Sequence, residues 1–239
     1  MNGELDIFTS ASLRTFEDPT GKPLVISLCD LTGNMVSPWV EAGCAAILVD
    51  PQHGVSRWDG SIYKFAGTVE DAIGLIGALL RAGVRIAAVF GFPPCTDMAV
   101  SGARWFEAKR AADKMFQAKA VMVAEQCRTL GRMSGAPWFV ENPVSVLSSA
   151  FGKPQHTFHP SDFTAFEPND NYTKKTCLWT GGGFQMPEPA KDETLGEPDN
   201  RIHFASPGPE RANFRSATPM GFARAVFEAN YVAALEVAA

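Results

Sequence analysis

"VFGFPPCTDMAVSGARWF" (residues 89–106) is the stretch on which the reading of the fold turns. It completes an apolar run, "VRIAAVFGF" (residues 84–92), in which nothing polar falls between Ile86 and Phe92. A run without polar alternation suits a strand buried on both faces. Pro93 and Pro94 then fix their φ angles and withhold two N–H donors, so the strand has to stop there. One thiol, Cys95, is left in a stiff loop at the strand's carboxyl end.

Working outward, "PLVISLCD" (residues 23–30) and "CAAILVD" (residues 44–50) are further apolar runs of strand length. "APWFVENP" (residues 136–143) reads as a strand closed by proline, and "TKKTCLWTGG" (residues 173–182) as another. Helical patterns lie between them. "VSPWVEAG" (residues 36–43) predicts a short helix stopped by Gly43. "TVEDAIGLIGALLRAG" (residues 68–83) predicts a longer one, with Thr68 as N-cap and Gly83 as C-cap. A single long helix is expected from about residue 103 to residue 131, and a last one over residues 218–238. Strands alternating with helices define the α/β class, here a doubly wound, mostly parallel sheet in one domain spanning residues 1–239. Two stretches resist assignment: residues 151–172, and residues 184–214, an irregular insert that reads as an embellishment near the site or a flexible loop.

Composition narrows the function. The formal charge is −5, from 21 basic and 26 acidic residues, whereas nucleic-acid binders usually carry a basic surplus. There is no run of 18 apolar residues and no basic stretch leading into an apolar one at the start, so the expectation is a cytoplasmic protein with no membrane partner. The cysteines number five and form no CxxC pair, which argues against disulfides. No Cys/His spacing suits a metal, and His53, His156, His159 and His203 form no ligand pattern, so no metal site is expected.

Ligands of open α/β sheets bind at the carboxyl ends of the strands, where Asp30, Asp50, Cys95 and Glu141 all fall. "SLCDLTGNM" (residues 27–35) is a strand, a turn and a helix start, and Gly33 there lets a ligand approach the backbone. The plainer alternative is a tight turn with no ligand. Asp50 stands where an acidic residue takes ribose hydroxyls, or else caps the turn that Pro51 begins. Cys95 is placed as a nucleophile, whereas Cys29, Cys44, Cys127 and Cys177 read as small core residues. Glu141 follows Trp138, Phe139 and Val140, so its carboxyl should be raised in pKa and able to donate a proton; pairing with an arginine is the alternative. One reaction uses all four sites. A cysteine adds to C6 of a pyrimidine, a glutamic acid supports the charge at N3, and C5 takes a methyl group from S-adenosylmethionine.

The same order of motifs resembles the cytosine-C5 DNA methyltransferase family, and more closely its short, phage-type members. "GFPPCTDMAVSG" (residues 91–102) is similar to the nucleophile motif and "FVENP" (residues 139–143) to the glutamate–asparagine motif. "SLCDLTGNM" resembles the first cofactor motif, with Cys29 in place of Phe and Leu31 in place of Gly. "YTKKTCLWTGG" (residues 172–182) sits where the family has paired arginines, with Lys174 and Thr176 in their places. "RSATPMGFARAV" (residues 215–226) resembles the last motif.

The resemblance implies the Rossmann-like fold of S-adenosylmethionine-dependent methyltransferases, a parallel sheet with one reversed strand. It implies Cys95, Glu141, Asn142 and Lys174 as catalytic residues. The cofactor would meet Leu28, Asp30, Thr32, Gly33, Asn34, Met35, Asp50, Phe92, Pro93 and Thr218. The substrate would meet Pro94, Ser101, Arg104, Lys153 and Lys175, with Lys109 and Arg110 as further phosphate contacts.

The family's target-recognition domain has no counterpart beyond residues 184–214. The expected partner is DNA containing cytosine. A free cytosine nucleotide remains an alternative substrate, and a non-catalytic S-adenosylmethionine-binding relative a third reading.

Overall fold

A computed structural model describes residues 21–204, 206, 208 and 211–236. The stretch read for a leader, residues 1–20, lies outside the described residues, as do residues 237 and 238 of the last expected helix.

Eight strands form one sheet: β1 (Leu24–Leu28), β2 (Ala45–Val49), β3 (Arg57–Asp59), β4 (Ile62–Phe65), β5 (Ile86–Gly91), β6 (Trp138–Pro143), β7 (His156–Phe158) and β8 (Thr176–Gly181). Their order is β3-β4-β2-β1-β5-β6-β8-β7. Strands β4, β2, β1, β5 and β6 run parallel, and β8 is reversed between β6 and β7. This is the expected α/β architecture with a mostly parallel sheet. The order turns outward in both directions between β1 and β5, which opens a crevice at their carboxyl ends.

Both faces of the central strands are covered, which is why they read as unbroken apolar runs. Leu24, Ile26 and Leu28 of β1 join one core, with Ile76 of helix α2 (Val69–Arg81) and Leu130 of helix α4 (Phe116–Ser134). Val25, one residue along, faces the other core, with Trp39 of helix α1 (Ser37–Glu41) and Phe222 of helix α8 (Met220–Glu236). The side-chain period of two thus sends alternate residues to opposite layers.

The helix starts follow their caps. Thr68 accepts from Asp71 N while Asp71 reaches back to Thr68 N, a reciprocal capping box for α2. Gly83 falls one position past the C-cap, with φ +74°.

The long helix expected over residues 103–131 is broken. A 3₁₀ turn (Val100–Trp105) leads into α3 (Phe106–Ala112), and the chain is extended at Asp113 before α4 begins. Asp113 causes the break. Its carboxylate accepts from Met115 N and Lys119 Nζ, at 2.8 and 2.7 Å, which favours a new helix start over continuation. At the far end α4 runs past Gly131, because that glycine lies against the Trp138 ring and a Cβ there would come within 2.7 Å of it.

The hairpin β3–β4 was not anticipated, although Asp59-Gly60 is a hairpin signal and Gly60 has φ +60°. Helix α5 (Leu147–Phe151) leads into the irregular stretch of residues 151–172, which holds the edge strand β7, three residues long. The insert is tied down where it meets that stretch. Ala190 N donates to Asp162 O at 2.8 Å, Thr173 N to Asp199 O at 2.7 Å, and Arg201 pairs with Asp199. It contains helix α6 (Arg201–Phe204) and leads to helix α7 (Arg211–Ser216).

Candidate active site

The Cys95 loop is held from both neighbouring strands. Phe92 N donates to Leu28 O at 2.9 Å, and Asn142 Nδ2 donates to Pro93 O at 3.0 Å. Past the thiol, Met98 N and Ala99 N both donate to Cys95 O. Val100 N then donates to Val144 O and Val146 N to Met98 O, fastening the loop to the chain beyond β6. The prolines end the ladder, and side-chain and loop hydrogen bonds take over its work. Cys95 itself is half-buried.

Glu141 and Asn142 are successive residues of β6, so they leave the sheet on opposite faces. Asn142 is fully buried and serves the loop. Glu141 faces a cleft lined by Phe92, Phe158, Pro219 and Phe222 as apolar wall, and by Lys174, Thr176, Ser216 and Thr218. The Glu141 side chain is 14% exposed, Lys174 Nζ stands 4.0 Å from Oε1, and Oε1 has no hydrogen-bond partner. Burial pushes the Glu141 carboxyl above its ordinary value of 4.5, and the Lys174 charge pulls it back. Burial also raises the Cys95 thiol above its ordinary 9.0, and the Glu141 charge raises it further; Lys174 and Arg215 oppose this. The surroundings therefore favour a thiol rather than a standing thiolate near neutrality.

The turn after β1 is built differently. The Asp30 carboxylate accepts from Ser27 Oγ, Thr32 N, Thr32 Oγ1 and Gly33 N, at 2.7 to 3.0 Å. It is the organiser of the turn, with its oxygens already bonded to the protein. Gly33 has φ +74°, and a Cβ there would meet Leu48 at 3.0 Å, so the glycine serves both the turn and its packing on β2. Leu28 and Met35 are fully buried core side chains, so any contact they offer a ligand is through the backbone. Asn34 Nδ2 donates to Thr218 O at 2.9 Å and joins the turn to the start of α8.

Asp50 is the N-cap of a 3₁₀ turn (Pro51–His53), its Oδ1 accepting from Gln52 N at 2.8 Å. The capping alternative is thus realised, while Oδ2 has no hydrogen-bond partner among the described residues. His53 lies near the Asp30 and Asp50 charges, and its Nε2 is buried without a hydrogen-bond partner. Burial lowers its pKa.

The remaining substrate residues scatter. Pro94 and Ser101 are exposed beside the Cys95 loop. Arg104 lies over the Trp105 ring, 5.2 Å from its centroid. Lys109 bonds to Thr96 O and the Asp97 carboxylate, which brace the nucleophile loop, and Arg110 reaches Gln117. Lys175 is exposed next to Lys174. Lys153 is not brought to the cleft. It follows Gly152, whose carbonyl accepts from Trp179 Nε1, whereas the cleft lies at the Thr176 end of β8.

Among the described residues, no group of His, Cys, Asp and Glu is arranged to hold a metal ion, and no helix is long and apolar enough to cross a membrane. No family model matches the chain, and no curated protein matches it.

Proposed function

We propose that the protein transfers a methyl group to C5 of cytosine in DNA, through a covalent bond between Cys95 and C6. One observation carries this reading. A buried carboxyl with an unpartnered oxygen and a half-buried thiol stand at one sheet edge, each within the field of Lys174. An unpartnered polar atom in a protein core is unfavourable unless a ligand completes it. The sheet is compatible with the reading as well: its central strands run parallel with β8 reversed between β6 and β7, as the methyltransferase resemblance implies, and the short hairpin strand β3 is a second reversed strand at the far edge.

S-adenosylmethionine fits the residues on the β1–β2 side. Asp50 Oδ2 and His53 Nε2 are open polar atoms beside the turn, and the Phe92 ring faces the cleft. A carboxylate suits adenosine hydroxyls and a ring edge suits apolar contact. When bound, this cofactor supplies an electrophilic methyl group.

The protein's own residues do the rest. Cys95 gives its proton to solvent water as the base arrives and its sulfur bonds to C6, the C5–C6 π pair moving toward C5 and the ring. Glu141, whose pKa burial raises, holds and donates the proton at N3, so that electron density moves toward C5. Lys174 is placed to hold the base carbonyl with one hydrogen bond, in place of an arginine fork. Loss of the C5 proton and then of the sulfur frees the product.

A second reading, transfer to a free cytosine nucleotide, is favoured by a specific observation. The insert is tied back onto residues 160–173 by hydrogen bonds at Asp162 and Thr173 and by the Lys191–Asp162 ion pair, so among the described residues it stands as part of the sheet domain rather than as a separate recognition unit. A tritiated-methyl transfer assay tests both readings. Duplex DNA, single-stranded DNA, RNA and the cytosine nucleotides are offered side by side. Label in DNA is expected. Label in dCMP or dCTP alone moves the substrate to the second reading, and no label in any cytosine substrate rejects the function.

A further inference from the structure

Arg215 has no role that its sequence neighbours suggest, yet the fold carries it to the margin of the reaction cleft. It is the penultimate residue of α7, directly before Ser216, which lines the cleft with Glu141 and Lys174. Helix α7 spans the carboxyl edge of the sheet. Asn213 bonds to Gln52 beside the end of β2, at 3.2 Å, while the Arg215 charge acts on the Cys95 thiol beyond the end of β5.

Among the described residues Arg215 stands apart from the other arginines of this region in its lack of a paired anion. Arg128, Arg201 and Arg224 pair with Glu125, Asp199 and Glu167 respectively. Among the described residues no carboxylate pairs with Arg215, and its Nε is buried without an acceptor. Burying an arginine nitrogen without an acceptor is unfavourable. The charge balance of the cleft agrees. Glu141 is the one carboxyl in its lining, and burial favours the neutral form of that carboxyl. Lys174 and Arg215 then leave an excess of positive charge at the edge of a chain whose formal total is −5. A guanidinium presents a planar fork of donors that matches two phosphate oxygens.

We propose that Arg215 binds a phosphate of the nucleotide substrate, anchoring its sugar–phosphate while the base lies between Cys95 and Glu141. This rests on the cytosine reading above. The shared chemistry is a phosphate on the target nucleotide, from a DNA strand or a free nucleotide.

The test is calorimetry on the full chain with S-adenosylhomocysteine present, using deoxycytidine, dCMP, dTMP and a short single-stranded oligonucleotide with one cytosine. The wild type is expected to bind dCMP or the oligonucleotide about tenfold or more tighter than deoxycytidine, the gain of one charge-assisted contact. Arg215→Ala should bind every ligand at the deoxycytidine level, and Arg215→Lys should recover part of the difference. Affinity for S-adenosylhomocysteine and the melting temperature report whether each variant is folded, and Arg215→Lys carries the test if Arg215→Ala is not. A preference for the oligonucleotide alone assigns the phosphate to DNA; a preference for dCMP assigns it to a free nucleotide. Equal binding of deoxycytidine and dCMP by the wild type overturns the proposal and leaves the cytosine reading standing. A folded Arg215→Ala that keeps the preference also overturns it. If dTMP binds as tightly as dCMP and Arg215→Ala loses both, the phosphate site stands and the cytosine reading falls.

Discussion

The two sides of the crevice treat polar side chains in opposite ways. On the β1 side, Asp30 is saturated with four hydrogen bonds from its own turn. On the β5–β6 side, Glu141 Oε1 and Arg215 Nε are buried with no hydrogen-bond partner, and the nearest charge to Oε1 is Lys174 Nζ at 4.0 Å. Both regions place charged residues at strand ends, and from sequence both look like sites. The difference is what the fold does with their lone pairs and protons. Asp30 is a structural device whose chemistry is complete. Glu141 and Arg215 are held ready at a cost of about 1–3 kcal/mol for each unmet group. Incompleteness, rather than residue type, separates Glu141 from Asp30, and His53 Nε2 shares it on the β1–β2 side.

The strongest test of this contrast is Cys95→Ser. A hydroxyl is a far weaker nucleophile than a thiolate, so methyl transfer should fall to background while S-adenosylhomocysteine still binds. A substrate carrying 5-fluorocytosine should form a denaturation-stable adduct with the wild type alone. An adduct on the serine variant would show that the covalent bond lies elsewhere.

Next in size is Glu141→Gln, which keeps the shape and removes the proton. Turnover should drop by about 10²–10⁴-fold. The wild-type rate should also fall as pH rises through the raised Glu141 pKa, because the protonated acid is the working form. Stability follows the same direction. A carboxyl raised in the folded state contributes stability that is present below its ordinary 4.5 and lost as pH rises through the folded value. Urea unfolding across a pH series should therefore show Glu141→Gln losing less stability with rising pH than the wild type. Parallel pH curves would place Glu141 in an ordinary, paired environment.

Asp30→Ala should show the opposite profile. It strips the acceptor from four donors, so unfolding free energy should fall by about 2–4 kcal/mol. Weakened cofactor binding would follow from the loosened turn. A variant of unchanged stability that had lost the cofactor would make Asp30 a direct ligand and remove half of the contrast.

Asp50→Ala is the mildest test, since Asp50 stands between the two behaviours with one oxygen capping Gln52 N and one open. Loss of the cap should cost about 1 kcal/mol. The affinity for S-adenosylhomocysteine should weaken by roughly three- to tenfold with little change in turnover at saturation. An unchanged affinity would leave Asp50 a cap and nothing more.

Much of this frame was legible in the residues. The apolar runs at Leu24–Leu28, Ala45–Val49 and Ile86–Gly91 are strands because only β-structure covered on both faces buries such runs. Pro93 and Pro94 marked the strand end for a local reason, the missing donors. Less legible was the break at Asp113, where one side chain's choice of partner outweighed a helical pattern on both sides. The edge strand β7 has three residues, too few for any period to register.

The sequence by itself determined the class of the sheet, the loop that presents Cys95 and the apolar setting of Glu141, because each depends on neighbours within a few residues. Only the tertiary structure decided which charges are free. Asp30 is satisfied within its own turn, Lys109 is drawn to Asp97, and Lys153 follows Gly152, which is held at Trp179 on β8, away from the Thr176 end where the cleft lies. Arg215, 120 positions after Cys95, arrives where its charge reaches the thiol, with no carboxylate paired to it among the described residues. Hydrogen-bond satisfaction is a property of pairs, and these pairs form between segments that are distant in the chain and adjacent only in the fold.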